Sequence, residues 1–211
     1  MDTNSCPLCN SSSQPIAEYQ NRQYLHCPEC KGVFLNKQNH LSFENEFFRY
    51  NEHNNDVNDV RYQDFVKPIV NEILKDFKSC DKGLDFGAGP GPVISKLLTD
   101  EGYQIAQYDP FFHNNESLLK QKYNYIVCCE VIEHFYNPNK EFKLLNSLMK
   151  NGGKLYLKTT LFSNDIDFRN WHYKNDNTHV FFYQKETFDY IKNQFGFSEL
   201  KIEGSLIVFS A

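Results

Sequence analysis

Four cysteines stand in two pairs near the start of the sequence, Cys6-Pro7-Leu8-Cys9 and Cys27-Pro28-Glu29-Cys30, with 17 residues between Cys9 and Cys27. Each C-x2-C knuckle offers two thiolates to one edge of a tetrahedron, and the gap suits a four-cysteine zinc site. The segment between the knuckles, from Ile16 to Tyr19 and from Arg22 to His26, reads as a short hairpin, so the pattern predicts a zinc ribbon. A unit this small has too little apolar surface to fold alone, and metal binding would supply much of its folding free energy. A second constellation lies farther on. Glu130, Glu133 and His134 fall in one run, and His179 follows in the stretch Trp171-His172-Tyr173 to Val180. If the chain turns into a helix at Glu130, the first three are spaced i, i+3 and i+4 and face one way. Two carboxylates and two histidines could then converge, with His134 and His179 as candidate general bases.

A third element is Leu84-Asp85-Phe86-Gly87-Ala88-Gly89-Pro90-Gly91-Pro92. It reads as a buried strand, a glycine loop and a helix from about Val93 to Glu101, with backbone that can approach a ligand at a helix N-terminus. The dinucleotide fingerprint G-x-G-x-x-G fails because Pro92 takes its sixth position, and no Gly-Lys-Ser/Thr follows for a P-loop.

G-x-G-x-G after an acidic residue resembles the class I S-adenosylmethionine-dependent methyltransferases, and several further segments agree in order. Gln104 to Tyr108 reads as the next strand and ends at Asp109, 18 positions after Gly91; Tyr123 to Cys129 resembles the fourth strand; Gly152-Gly153 resembles the turn into the fifth. The resemblance implies S-adenosyl-L-methionine as cofactor, bound by Asp85, Gly87, Ala88, Gly89, Gly91, Asp109, Pro110 and Glu130, with Asp109 on the ribose hydroxyls. The E-x-x-E-H run with a distal histidine is similar to metal-dependent O-methyltransferases. That likeness implies Glu130, Glu133, His134 and His179 as ligands of a divalent ion, Mg2+, Mn2+ or a second Zn2+, beside the structural Zn2+. In many methyltransferases the same run carries no metal, and the glutamate holds cofactor or caps a helix. Trp171, His172 and Tyr173 are candidate walls of the acceptor pocket.

These residues need elements to hold them. Val57, Val60, Val66, Ile69, Val70, Ile73, Leu74 and Phe77 recur at helical spacing, with Pro68 either kinking that helix or marking the first turn of its main segment. Pro138 to Lys150 and Gln184 to Phe195 read as amphipathic helices, and Ser198 to Glu203 with Ser205 to Ser210 as a final pair of strands. Only thirteen residues, Pro110 to Lys122, connect Asp109 to the strand at Tyr123, too few for a helix, a strand and a return. The expected fold is therefore α/β, a Rossmann-like class I methyltransferase sheet that lacks or shortens its third strand, which leaves the adenine contacts unassigned. The expected organisation is a zinc ribbon at 1–38, a linker or lid at 39–64, where Asn, Glu and His are interspersed with aromatics, and a methyltransferase domain at 65–211.

Composition limits the alternatives. A chain of 211 residues excludes two full catalytic domains, and 40% hydrophobic with 23% charged residues is a globular balance. No apolar stretch approaches the roughly 20 residues that span a bilayer, and Met1 to Gln14 lacks the apolar core of a signal peptide, so a cytoplasmic location is expected. The net charge of -5 disfavours nucleic acid as partner. Within residues 1–40, Arg22, Lys31 and Lys37 cancel Asp2, Glu18 and Glu29, so a zinc-loaded ribbon would carry about -2. The leading expectation is O-methylation of a small or sugar-like acceptor. The alternatives are an RNA methyltransferase with the same cofactor and a non-catalytic binding module on the same scaffold.

Overall fold

The computed structural model describes residues 4–52 and 56–211. Residues 1–3 of the expected ribbon and 53–55 of the expected linker lie outside the described residues. The chain begins with β1 (Gln14–Tyr19), β2 (Arg22–His26) and β3 (Val33–Leu35), an antiparallel meander that carries the two knuckles. Next come α1 (Phe43–Asn51), α2 (Val60–Asp76), β4 (Lys82–Phe86), α3 (Val93–Asp100) and β5 (Gln104–Tyr108). The remainder is β6 (Tyr123–Cys129), α4 (Pro138–Leu148), β7 (Met149–Lys158), β8 (Phe181–Phe182), α5 (Lys185–Phe195), β9 (Glu199–Glu203) and β10 (Leu206–Ser210).

Six strands form the main sheet in the order β5-β4-β6-β7-β10-β9, the first four parallel and the last two antiparallel. Alternation of side chains across the strands builds two cores. Leu84, Ile126, Cys128, Leu155, Leu157 and Phe209 face α4 and α5, whereas Tyr125, Val127, Tyr156 and Val208 face α2 and α3. Among the described residues no strand lies beyond β5. The connection from Asp109 to β6 makes one 3-10 turn, Glu116–Lys120, so the third strand is missing.

The structure narrows two expectations. The stretch at 39–64 contains α1 and the first turn of α2, so position 65 falls inside a helix. Of the two readings of Pro68, the first-turn one is excluded, because Pro68 sits inside α2, eight residues after its start. The ribbon, for its part, shares the hydrophobic core of the larger sheet. Cys6, Leu8, Leu25, Cys27, Cys30 and Phe34 pack in the same cluster as α4 and α5, and β3 pairs with β8 through Val33 with Phe182 and Phe34 with Phe181. Gly32 permits this approach, because a Cβ there would lie 2.3 Å from the Phe181 ring. On the other side of the meander, Tyr24, Val33 and Leu35 pack with Phe162, Phe168, Trp171 and Phe182.

Candidate active site

A cavity of about 1030 Å³ opens at the carboxyl ends of β4, β5 and β6, the edge where open α/β sheets bind ligands. The glycine loop forms one wall. Gly87 and Gly89 adopt φ of 81° and 62°, the left-handed region that glycine enters without strain. The loop is tied to β5 by the Gly87 and Ala88 amides, which donate to the Tyr108 carbonyl at 2.8 and 3.2 Å. Asp109 is almost fully buried, and its carboxylate accepts from the amides of Gly89 at 3.0 Å, Phe111 at 2.8 Å and Phe112 at 3.1 Å. Three amide donors fix its orientation toward the cavity it lines.

Of the sequence candidates for cofactor contact, Gly87, Ala88, Gly89, Asp109, Pro110 and Glu130 line this cavity. Asp85 and Gly91 are not on its wall. Asp85 is buried behind the loop, where its carboxylate accepts from the Ser95 hydroxyl at 2.7 Å. Burial pushes its carboxyl up to about 6 despite that hydrogen bond.

The E-x-x-E-H run is not an α-helix. Glu130 has φ 53°, a left-handed conformation for a non-glycine residue, with its amide donating to the Lys158 carbonyl at 2.8 Å, and only Ile132–His134 form a 3-10 turn. The i, i+3, i+4 face is therefore lost, yet three of the four residues still meet. Glu133, His134 and His179 each present a ligand atom within 4.8 Å of the others, and Glu130 is outside that group. Nδ1 of His134 lies 3.0 Å from the Thr178 carbonyl, and Nδ1 of His179 lies 2.7 Å from the Tyr173 carbonyl. A carbonyl only accepts, so each Nδ1 donates. In the neutral rings Nε2 then bears the lone pair, the arrangement found for metal-binding histidines and for bases alike.

Glu133, fully buried, is paired with the partly buried Glu130 of the cavity wall. The Tyr173 hydroxyl reaches Glu133, which also accepts from Thr159 at 3.1 Å, and it lies 3.1 Å from Glu130. Burial and then the charge of Glu130 push Glu133 up to about 8, and burial raises Glu130. The expected acceptor wall is corrected accordingly. Trp171 packs in the aromatic core under the ribbon, His172 is exposed, and Tyr173 braces the two glutamates from behind; none of the three lines the cavity.

The stretch expected as a linker or lid holds α1, a helix the sequence reading did not place, and its Glu46 and Tyr50 line the cavity. Phe43, Phe47 and Tyr50 lie at i, i+4 and i+7 and all contact Phe111, the first two stacked at 5.0 and 5.9 Å between ring centroids and Tyr50 tilted at 5.1 Å. Glu46, Tyr50, Tyr62 and Tyr136 complete the rim. Among the described residues six carboxylates line the cavity, from Glu46, Asp109, Glu116, Glu130, Glu141 and Asp176, against one lysine, Lys140. In the ribbon the sulfurs of Cys6 and Cys30 are 3.5 Å apart and those of Cys9 and Cys27 are 3.3 Å apart. Zn–S bonds of about 2.3 Å imply a tetrahedral edge of about 3.8 Å, and all four sulfurs lie within 4.8 Å of one another, so the four thiols could hold zinc.

Comparison with known proteins accords with this architecture. Residues 59–201 match the family described as "Methyltransferase domain". A 77-residue stretch is 27% identical to the ubiquinone biosynthesis O-methyltransferase of Serratia proteamaculans (strain 568), covering 36% of this chain and 32% of that relative, so the likeness spans about a third of the relative's length. Human N-acetylserotonin methyltransferase in complex with SAM superposes with a TM-score of 0.52 at 10% identity, over 71% of this chain and 53% of that one. A SAM dependent methyltransferase from Archaeoglobus fulgidus superposes with a TM-score of 0.50 at 23% identity, over 67% of this chain and 72% of that one. Both superpositions report shared fold. With the family match extending over more than half of its length, the chain belongs to the methyltransferase-domain family.

Proposed function

We propose that the protein transfers the methyl group of S-adenosyl-L-methionine to a hydroxyl oxygen of a small or sugar-like acceptor. The observation that carries this reading is the presence of the glycine loop with Asp109 and of His134 and His179 on the walls of one cavity. The cofactor, when bound, supplies a methyl group on a sulfonium whose leaving thioether is neutral. The chain's part is therefore mostly positioning. The Gly87 to Gly89 backbone lets a ligand approach closely, and the Asp109 carboxylate, held by three amides, has the acceptor capacity for a ribose diol. Six carboxylates against one lysine favour a cationic donor and an uncharged acceptor over the phosphates of RNA.

Glu133, His134 and His179 fit a divalent cation by donor chemistry, and two imidazoles with one carboxylate suit Mn2+ or Zn2+ better than Mg2+. Such an ion would bind the acceptor hydroxyl and lower its pKa. With no ion, Nε2 of His134 or His179 is the base that takes the hydroxyl proton. Cys6, Cys9, Cys27 and Cys30 would hold a structural zinc. Weak identity to an O-methyltransferase supports oxygen as the methylated atom. Calorimetry of the zinc-replete protein with S-adenosylhomocysteine tests the reading, and absence of binding would remove it. Titration with Mn2+, repeated on Glu133→Ala, tests the metal separately; no heat in the unsubstituted protein leaves the histidine base.

A further inference from the structure

Three of the carboxylates on the cavity wall have partners already described. Asp109 takes three amides, Asp176 pairs with Arg49 and accepts from Thr178, and Glu130 faces the Tyr173 hydroxyl. Glu46 of α1 has only hydroxyls. It is buried, 8% exposed, and its carboxylate accepts from the Tyr50 hydroxyl at 2.9 Å, with the Tyr136 hydroxyl as a second donor. Among the described residues it forms no ion pair. Burial pushes its carboxyl up, and the two phenols offset this only in part. A carboxylate kept in such surroundings is costly until its acceptor positions are filled, and two phenols fill two of about four.

Ring contacts give Glu46 its place in the cavity. Tyr50, one turn further along α1, meets the His134 ring edge-on at 5.4 Å, and His134 meets His179 at 4.8 Å. Tyr50 also lies 5.1 Å from Phe111, two residues after Asp109. Tyr136 follows His134 by two positions. Glu46, Tyr50, Tyr136, His134 and His179 all line the same cavity, and none of them belongs to the glycine loop. Glu46 is therefore on the side of the candidate bases, where the group to be methylated must come.

We propose that Glu46 recognises the methyl acceptor by accepting a hydrogen bond from a second hydroxyl, apart from the one methylated, so that the site selects polyhydroxy acceptors over those with a single hydroxyl. A hydroxyl extends the set of neutral O–H donors that Tyr50 and Tyr136 begin, and it agrees with an uncharged acceptor. An acceptor with hydrogen or a methyl ether in its place would leave the carboxylate facing apolar surface. The inference rests on the reading of this cavity as the site of methyl transfer and deepens it, by giving α1 the contact that decides which acceptor enters.

The test uses the full-length, zinc-replete protein and S-adenosyl-L-methionine tritiated in its methyl group, with a deproteinised small-molecule extract of the source cells as the supply of acceptor. Transfer rate is measured against the amount of extract, and S-adenosylhomocysteine affinity by calorimetry. Glu46→Ala is expected to raise the extract needed for half-maximal rate by about ten- to a hundredfold, the range of one hydrogen bond to a charged group, with S-adenosylhomocysteine affinity unchanged. Glu46→Gln, which keeps an acceptor oxygen, should show a smaller rise in the same direction, and it is the readable variant if the alanine protein does not fold. Glu44→Gln, which removes an exposed charge from the same helix, should show none. The labelled product, examined by accurate mass and deuterium exchange, is expected to retain at least one hydroxyl. An unchanged half-maximal point in both Glu46 variants, a fall in maximal rate alone, or a product with no hydroxyl left overturns the assignment while leaving methyl transfer standing. If S-adenosylhomocysteine binds but no label leaves the donor, the acceptor reading falls and this inference with it; if it does not bind, the cofactor reading itself falls.

Discussion

Arg49 of α1 and Asp176 of the loop that leads to His179 form an ion pair at 2.7 Å, joining the helix within the expected linker or lid to the segment carrying a candidate base. Burial pushes the Asp176 carboxyl up, but the Thr178 hydroxyl and amide, and then the charges of His179 and Arg49, hold it well below the usual carboxylate range. The pair is partly exposed on the arginine side, so its contribution is discounted to about 1 kcal/mol or less. Arg49→Met is expected to release S-adenosylhomocysteine up to about fivefold faster, the factor that such a loss sets, with a small change in melting temperature. Stopped-flow release rates check this, and an unchanged rate would show that α1 does not help retain the ligand.

What the sequence made legible, and what it hid, follows from how locally each feature is encoded. The glycine loop, β4 to β6 and the β9–β10 pair are written in short apolar runs bounded by turns, and the thirteen residues after Asp109 are too few for another strand whatever their identity. α1 was obscured because Asn, Glu and His dominate its region, although its aromatics keep helical spacing. The turn at Glu130 depends on a tertiary hydrogen bond to the Lys158 carbonyl, which no local pattern announces. Trp171 and Tyr173 point into the protein because the ribbon, more than a hundred residues earlier, offers them Tyr24, Val33 and Leu35.

The ribbon reaches the candidate site through backbone. The Leu35 amide donates to the Val180 carbonyl at 2.9 Å, and the Val180 amide donates to the Glu133 carbonyl at 2.8 Å. Removal of zinc by a chelator, or Cys27→Ser, is therefore expected to lower the melting temperature of the whole chain and to weaken S-adenosylhomocysteine binding, since the ribbon and the main sheet share one core. Scanning calorimetry and ligand titration on the same samples decide it. An apo protein that melts and binds as the zinc form does would mean that the ribbon is energetically separate.

Asp85 should leave a signature in the pH dependence of stability. Its folded-state pKa, about 6, lies above the ordinary 3.8, so between about pH 4 and 6 the folded chain binds more protons than the unfolded one. This contribution is fully present below pH 4 and is lost as pH rises through 6, by an amount on the order of 3 kcal/mol. Asp85→Asn keeps an acceptor for the Ser95 hydroxyl and has no charge to bury. Urea unfolding at a series of pH values should show a shallower fall between pH 4 and 6 in the variant; parallel curves would refute the assignment.

Gly87 separates backbone strain from collision in a single position. At φ 81° any side chain is disfavoured, and a Cβ would also meet Val131 Cγ2 at 2.5 Å. Gly87→Ala is expected to cost about 2–4 kcal/mol, with about 1–2 from the left-handed backbone and the rest from overpacking. The residue sits where Gly87 and Ala88 are pinned to the Tyr108 carbonyl, so the shift should reach the loop and weaken S-adenosylhomocysteine binding as well. Adding Val131→Ala removes the colliding methyls but not the φ. The double variant should therefore recover only the overpacking part of the stability and a corresponding part of the affinity. Full recovery would mean that the left-handed conformation is not needed; no recovery would mean that the contact with Val131 is not what sets the loop.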